Sequence, residues 1–387
     1  MNSVGIIAEY NPFHNGHLYH LNKVKEMFPN SPIILILSGN YLQRGEISML
    51  DKWTKTKIAL ENNIDLIIEL PFNFATQSAD IFAKGALQLL DALKVSNLVF
   101  GSESNNIEDL VLLANTQLND KNYQNIIKEF LQKGVNYPTA LSKALREITN
   151  KDICTPNDIL GLSYVREIIK NNYNIKPICI KRTNDYHNID ENSNIISASN
   201  IRNKIKNNIN IKNYVPNSTY KCLANIPTLF IDKYFSYLKY KIISNLNELN
   251  EYLDVDEGID NRIKKFIYNS NNYDELINNI KTKRYTYNKI SRMLCHILTS
   301  YKKSDVIENI EYIRILGMNN IGKNYINNIK KDIEFPIITK FSDFNKKYQD
   351  LELKLAYIYS LSLDSDDIFE YINNEKRSKV IIQNKND

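Results

Sequence analysis

Three of the chain's five histidines, His14, His17 and His20, fall within one short stretch, Phe13-His14-Asn15-Gly16-His17-Leu18-Tyr19-His20. An apolar run from Val4 to Ala8 precedes them and breaks at Asn11-Pro12. This order predicts a strand, a tight turn and the N-terminus of an amphipathic helix. Such a junction suits anions, because free backbone N–H groups and the helix dipole both favour negative charge there. Gly16 would give backbone room for phosphates, and His14 and His17 would donate to phosphate oxygens. Charge grows on those oxygens as pyrophosphate leaves in nucleotidyl transfer, so fixed donors lower the barrier. The plainer alternative makes His17 and His20 polar positions on a helix face. A metal reading finds a carboxylate in Glu9 but no zinc-ligand spacing.

A second segment adds to the first. Ile196-Ser197-Ala198-Ser199-Asn200-Ile201-Arg202 opens another helix, with Ser197 or Ser199 as a natural N-cap. Their hydroxyls can bond phosphate, and Arg202, one turn on, can neutralise it. Alone this is also an ordinary capped helix with a surface arginine.

The elements that must position these residues alternate. Pro32–Leu37, Leu66–Leu70 and Leu98–Phe100 read as buried parallel strands, with helices around Gly16–Phe28, Lys52–Asn62 and Ala79–Leu93. The pattern predicts a doubly wound α/β parallel sheet with ligands at the C-terminal strand ends. Glu9–His17, Ser38-Gly39-Asn40 and Gly101-Ser102-Glu103 then lie where such sites form. Thr155-Pro156-Asn157-Asp158 caps a further helix, and a strand at Pro177–Ile180 leads to Lys181-Arg182. Around Asn207–Pro216 the pattern dissolves into Asn- and Lys-rich sequence, which sets a boundary between residues 1–206 and 207–387. The second part reads as mainly α-helical, with Val380-Ile381-Ile382 as a final short strand.

H-x-G-H early and I-S-x-[ST]-x-I-R late is the pattern of the HIGH-type nucleotidylyltransferase superfamily, which residues 1–205 resemble. Longer blocks narrow this: A-E-Y-N-P-F-H-N-G-H at 8–17, S-G-N-Y-L-Q-R-G-E at 38–46 and D-K-W at 51–53. The block at 68–86, F-G-S-E at 100–103 and S-A-S-N-I-R at 197–202 complete the set. Together they resemble the bacterial tRNA(Met) cytidine acetate ligase family, with looser echoes at 257–263 and 282–286. The resemblance implies an enzyme, a ligase that turns ATP and acetate into acetyladenylate. It then passes the acetyl group to N4 of the wobble cytidine of elongator tRNA(Met). It implies a Rossmann-like catalytic part followed by a helical part, and an ATP loop. That loop is the strand end Ile7-Ala8-Glu9, the turn Tyr10-Asn11-Pro12-Phe13 and the helix start His14-Asn15-Gly16-His17-Leu18-Tyr19-His20. Further ATP contacts fall at Gly101, Asn157 and Arg182, with Ser197, Ser199 and Arg202 as the phosphate helix. His14, His17 and Arg202 are the catalytic candidates. Mg²⁺ would accompany ATP, and no residue is assigned as its ligand. Glu9 and Asp80 are further candidates for polar work.

The composition agrees with a cytoplasmic enzyme. No apolar run is long enough to cross a membrane, and no secretory signal is visible. Cys154, Cys179, Cys222 and Cys295 are far apart and form no CxxC pair, which excludes a disulfide scaffold and a zinc motif. Nothing implies a protein partner. The net charge is +5, and the whole surplus lies beyond residue 205. It concentrates at 281–303, which carries Lys281, Lys283, Arg284, Lys289 and Arg292 among seven basic residues and no acid. Helical spacing puts Ile290, Leu294, Ile297, Leu298 and Tyr301 on one face, with Lys289, Arg292 and His296 on or near the other. Basic side chains beside Tyr285 and Tyr287 suit RNA phosphates and unstacked bases. A solvated basic helix face is the plainer reading. The alternatives to a ligase are a metabolic adenylyl- or cytidylyltransferase, and an RNA-binding protein with a degenerate nucleotide pocket.

Overall fold

The computed structural model describes residues 2–182 and 194–384. Its spine is a mixed sheet of β1 (Val4–Ala8), β2 (Ile33–Ser38), β3 (Leu66–Leu70), β4 (Asn97–Ser102), β5 (Lys176–Lys181), β6 (Ile313–Asn319), β7 (Ile337–Ile338) and β8 (Ile381–Gln383). The order is β5-β4-β1-β2-β3-β6-β7, with β8 pairing β6. The first five strands run parallel. From β1 the chain steps outward to β2 and β3, then jumps back to β4 on the other side of β1. That reversal opens a crevice at the C-terminal ends of β1 and β4, the usual ligand position in such sheets.

Among the described residues, nine helices accompany the first five strands: α1 (Asn15–Met27), α2 (Lys52–Glu61), α3 (Phe72–Ala75), α4 (Ala79–Ala92), α5 (Ile107–Asn119), α6 (Tyr123–Gln132), α7 (Tyr137–Thr149), α8 (Pro156–Asn171) and α9 (Ala198–Lys206). Eight follow: α10 (Asn217–Asn225), α11 (Phe235–Ser244), α12 (Ile259–Ile267), α13 (Tyr273–Ile280), α14 (Tyr287–Leu298), α15 (Asn320–Ile329), α16 (Lys346–Ser360) and α17 (Ser365–Arg377). β2 and β3 are buried along their whole length. Helices cover both faces of such strands, so their sequence is a continuous apolar run without alternation.

The mainly helical reading of 207–387 fits 217–298 but misses β6. Ile313–Asn319 is fully buried and pairs antiparallel with β3, extending the sheet of the first half. A short apolar run between helical stretches carries no period that separates strand from helix, and its pairing partner lies far away in sequence. The short strand expected at the C-terminus is present as β8, paired with β6 from Gly317 to Asn319.

A buried ion cluster fastens the late elements to the sheet. Lys52, at the start of α2, lies 3.2 Å from Glu69 on β3, 3.1 Å from Glu352 on α16 and 3.1 Å from Glu375 on α17. Arg314 on β6 meets the same carboxylates at 3.0, 2.8 and 2.8 Å. Trp53 Nε1 donates to Glu375 at 2.8 Å. Burial alone would push the Glu375 carboxyl up, but Lys52 and Arg314 outweigh it and hold it at about 2. Burial dominates at Glu69, whose carboxyl is pushed up despite the same two cations. Three carboxylates share two cations, so Glu69 is where a proton is most easily held. Removing one member of such a cluster strands charge in the interior, which costs about 3–5 kcal/mol. Lys52→Met is expected to lower stability by that order at pH 7. The penalty should shrink toward pH 5, because protonation relieves the surplus carboxylate. Urea unfolding followed by fluorescence of Trp53, the chain's one tryptophan, checks both; an unchanged midpoint would contradict the account.

Candidate active site

His14 takes the N-cap position of α1, a place where a side-chain acceptor satisfies an otherwise free backbone N–H. Its Nδ1 accepts from Gly16 N at 3.0 Å, and His17 Nδ1 accepts from His14 N at 3.3 Å. Both Nδ1 atoms are therefore unprotonated, and in the neutral rings both Nε2 atoms carry the hydrogen. The cap thus turns two imidazoles into fixed Nε2–H donors. The rings lie 3.9 Å apart, tilted by 30°. Gly16 is required by this contact: a Cβ there would sit 2.7 Å from His14 Cε1. The space left by the missing side chain is filled by the His14 ring.

Charge on these rings is strongly disfavoured. Burial, with the nearby Arg182 and Arg202 guanidiniums, pushes His14 down to about 3. Burial and the His14 and Arg182 charges put His17 well below its usual value. Burial and Arg182 lower His20 to about 4. The three histidines therefore act as neutral groups at physiological pH.

The crevice at the strand reversal collects most of the remaining candidates. Arg202, on α9, reaches back to the β1–α1 turn, where Nη1 donates to Asn11 O at 2.9 Å and Nη2 to Glu46 at 2.9 Å. Ser197 caps α9 by accepting from Asn200 N at 3.3 Å, and its hydroxyl lies 2.9 Å from that of Ser199. Asn15 fastens the two segments, donating to Asn194 O and Asn213 O at 2.9 Å each. On the β4 side, Arg182 Nη1 lies 3.4 Å from Asn157 Oδ1, and Gly101 faces the Arg182 stem. Glu103 sets Asn157 by accepting from its Nδ2 at 2.6 Å and from Asp158 N at 3.1 Å. Gly101, Asn157 and Arg182 thus form one group, and the Arg182 charge reaches His14, His17 and His20.

Lys55 is a contributor that the sequence does not single out, and loop 40–47, which overlaps the 38–46 block, takes a role that its residues did not indicate. Lys55 on α2 is buried and donates to Glu9 O, Ser38 O and Gly39 O at 3.0, 2.7 and 2.7 Å. It ties the C-terminal ends of β1 and β2, and burial lowers its ammonium to about 7. The other is loop 40–47, which links Glu9 to the second half. Gln43 N donates to Glu9 Oε1 at 2.7 Å, and Glu46 holds Arg202. Burial pushes the Glu9 carboxyl up, against the Gln43 N–H. Gly45 (φ +80°) then abuts α14, where a Cβ would lie 2.5 Å from the Ser291 and Arg292 backbone. Only Gly16 and Gly45 among these residues point to such close approaches, and neither spacing reveals the partner.

Other calls change. Asp80 bonds Arg166 at 2.6 Å and Ser163 at 3.0 Å, a tie between α4 and α8. His296 is not on the outer face of α14: it is fully buried, with Nε2 2.9 Å from Thr76 O and Nδ1 3.3 Å from Leu253 O. The segments around residues 76 and 253 pack on α14, so more of the helix is covered than its apolar stripe indicates. Ile290, Leu294, Ile297, Leu298 and Tyr301 are buried as expected. Lys281, Lys283 and Arg284 are exposed, and Lys289 is half-buried over the Tyr285 ring at 4.8 Å. Arg292 turns toward Asp254 at 3.9 Å. Among the described residues no group of three or more His, Cys, Asp or Glu is arranged to hold a metal. No helix there is long and apolar enough to cross a membrane.

The lowered imidazoles make a thermodynamic prediction. Below about pH 6.5 the unfolded chain takes up protons that folded His14 and His20 refuse. Stability therefore falls as pH drops toward their folded values of about 3 and about 4. Each such ring adds a slope of up to ~1.4 kcal/mol per pH unit. Glu9, held up in the fold, works with the opposite sign, so the comparison is made against a variant. His20→Gln should flatten the fall between pH 6 and 5 by about one ring's share, read from urea midpoints; parallel curves would refute the neutral assignment.

A model of the HIGH Nucleotidyl Transferase family matches residues 1–383. The tRNA(Met) cytidine acetate ligase of Geobacillus sp. (strain WCH70) is 39% identical over 379 residues, covering 93% of this chain and 94% of that protein. The one from Bacillus subtilis (strain 168) is 38% identical, covering 94% and 93%. Among solved structures, Thermotoga maritima TmcAL bound with alpha-thio ATP aligns with a TM-score of 0.89 at 28% identity, covering 99% of this chain and 100% of that one.

Proposed function

The chain belongs to the HIGH nucleotidyl transferase family, and on that premise we propose that it is an ATP-dependent tRNA(Met) cytidine acetate ligase. The observation that carries this reading is the near end-to-end match to relatives of that name, joined to a crevice lined by neutral donors and arginines. ATP is the co-substrate, as the alpha-thio ATP complex of the Thermotoga protein supports.

The first step attaches acetate to AMP. A carboxylate oxygen of acetate attacks the α-phosphorus, the bond to the bridging oxygen breaks, and pyrophosphate leaves. We assign the Nε2–H groups of His14 and His17 to the phosphate oxygens that gain charge. Neutral donors whose hydrogens are fixed by the helix cap need no reorganisation as the charge builds. Arg202 uses two of its five N–H donors on protein acceptors and has others for phosphate. We assign Gly101 and Asn157 to further ATP contacts, with Arg182 reaching a phosphate or the ribose. The described residues offer no preformed metal cage, so Mg²⁺ would arrive with the ATP phosphates.

In the second step cytidine N4 attacks the acetyl carbonyl carbon, AMP leaves, and N4 loses a proton. The cytidine amine is a poor nucleophile because its lone pair is delocalised, so the mixed anhydride and its positioning supply the drive. Residues 1–206 carry the adenylation chemistry in this scheme, and 207–387 present the basic segment Lys281, Lys283, Arg284 and Lys289 to the tRNA. Work on tRNA places the enzyme in the cytoplasm.

Incubation with ATP, acetate and elongator tRNA(Met) should produce N4-acetylcytidine, with AMP and pyrophosphate released. Absence of that product, where a relative of this name produces it, would reject the assignment. His14→Ala should cost adenylate formation at least ~100-fold, the scale of losing one transition-state donor. Lys283→Ala with Arg284→Ala should instead weaken tRNA retention, with a shallower salt dependence. Equal loss of the same partial reaction in both would refute this division of roles.

A further inference from the structure

The basic segment does not stand alone on the surface. It forms one wall of an open groove of about 510 Å³, and the turn between α6 and α7 forms the other. That turn belongs to the first half of the chain, so the groove joins the two halves. Lys281, Lys283, Tyr285 and Tyr287 line one side; Gly134 and Asn136 line the other. The volume falls in the ~300–1,000 Å³ range of clefts that take a compact organic ligand.

We propose that this groove holds an unpaired nucleotide of the RNA substrate, a deepening that rests on the RNA-modifying function inferred above. Charge argues for it: no Asp or Glu lines the groove, while Lys281 and Lys283 are exposed along its edge. Shape argues for a single strand. Tyr287 is 39% exposed, with its hydroxyl 3.4 Å from Asp274, and its ring is the stacking surface. Tyr285 is only 5% exposed and packed in the core, its hydroxyl donating to Asp256 O at 2.8 Å, so it supports the groove without stacking on a base. Aromatic rings beside Lys and Arg hold bases by stacking and phosphates by charge. A closed A-form duplex offers no unstacked base to such a surface.

The opposite wall has open backbone and a free donor. Gly134 (φ +79°) would place a Cβ in empty space, so its backbone is open to a ligand. Asn136 caps α7 through Oδ1, which accepts from Thr139 N at 3.1 Å and Thr139 Oγ1 at 2.9 Å. Asn136 also lines the groove, and its amide nitrogen is the side-chain donor that the cap leaves over. The groove also connects to the adenylation site: 287 begins α14, α14 packs on Gly45, and the Gly45 loop contacts Glu9 and Arg202.

The test uses the full chain and a fluorescent anticodon stem–loop of elongator tRNA(Met), read by anisotropy at low and physiological salt. Tyr287→Ala should weaken binding about tenfold, and Tyr287→Phe should stay within about twofold, because stacking needs the ring and not the hydroxyl. Asn136→Asp preserves the helix cap but sets a negative charge in the groove. It should weaken binding about three- to tenfold at low salt and less at high salt; Asn136→Ser should bind like the parent. If the parent binds and Tyr287→Ala and Asn136→Asp bind equally well, the groove is overturned while the ligase reading stands. Tyr287→Phe as weak as Tyr287→Ala would overturn the stacking role. An RNA duplex lacking the loop that competes as well as the stem–loop would overturn the unpaired occupant. Failure of the parent to hold any stem–loop would remove the reading on which the groove rests.

Discussion

Two cations and three carboxylates, buried together, hold the halves of this chain in one body. Lys52 and Arg314 sit among Glu69, Glu352 and Glu375, contributed by α2, β3, β6, α16 and α17. Such a cluster adds little net stability over well-packed apolar residues, but it is intolerant of a missing member. Its consequence here is registration. β6 must lie beside β3 and both C-terminal helices must return to the sheet, or charges remain unpaired in the interior. The placement of loop 40–47 follows, since Asn40 Oδ1 accepts from Lys52 N at 2.9 Å and Asn40 Nδ2 donates to Tyr371 at 2.6 Å.

The crevice depends on a second constraint, local to the first helix. An imidazole replaces the usual Ser, Thr, Asp or Asn at the N-cap, and the cap fixes its tautomer. Phosphate donors are more useful neutral and oriented than charged and mobile, because their hydrogens then need no rearrangement as charge develops. Burial and two neighbouring arginines enforce neutrality, so in the proposed reaction the arginines would supply the positive field and the imidazoles the directed hydrogens. Lys55 serves the same crevice from below, gathering the carbonyls where β1 and β2 end.

In the proposed scheme loop 40–47 joins the two kinds of chemistry. One side touches Glu9 and Arg202 at the adenylation crevice, and the other side lies against the backbone of α14. An enzyme that makes a reactive mixed anhydride gains from a short path to its acceptor, because water would otherwise consume the intermediate.

Much of this was legible in the amino-acid order, and the reason is locality. β1 and β3 match their expected ranges, and the helices starting near residues 15, 52 and 79 appear as expected, since buried runs and caps are short-range signals. The histidine cap is likewise local, because donor and acceptor lie within three residues. Tertiary structure decided what pairs at long range: β6 as a sheet strand, the five-member ion cluster, Lys55 beneath the strand ends, and His296 buried rather than exposed. A lysine or glutamate looks the same in sequence whether solvated or buried, and a strand carries no mark of its neighbour. His14, Gly16, His17 and Arg202 could be nominated from sequence. Only the fold brought Arg202 to the turn at Asn11 and set the α6–α7 turn opposite Lys281, because those contacts depend on how distant elements pack.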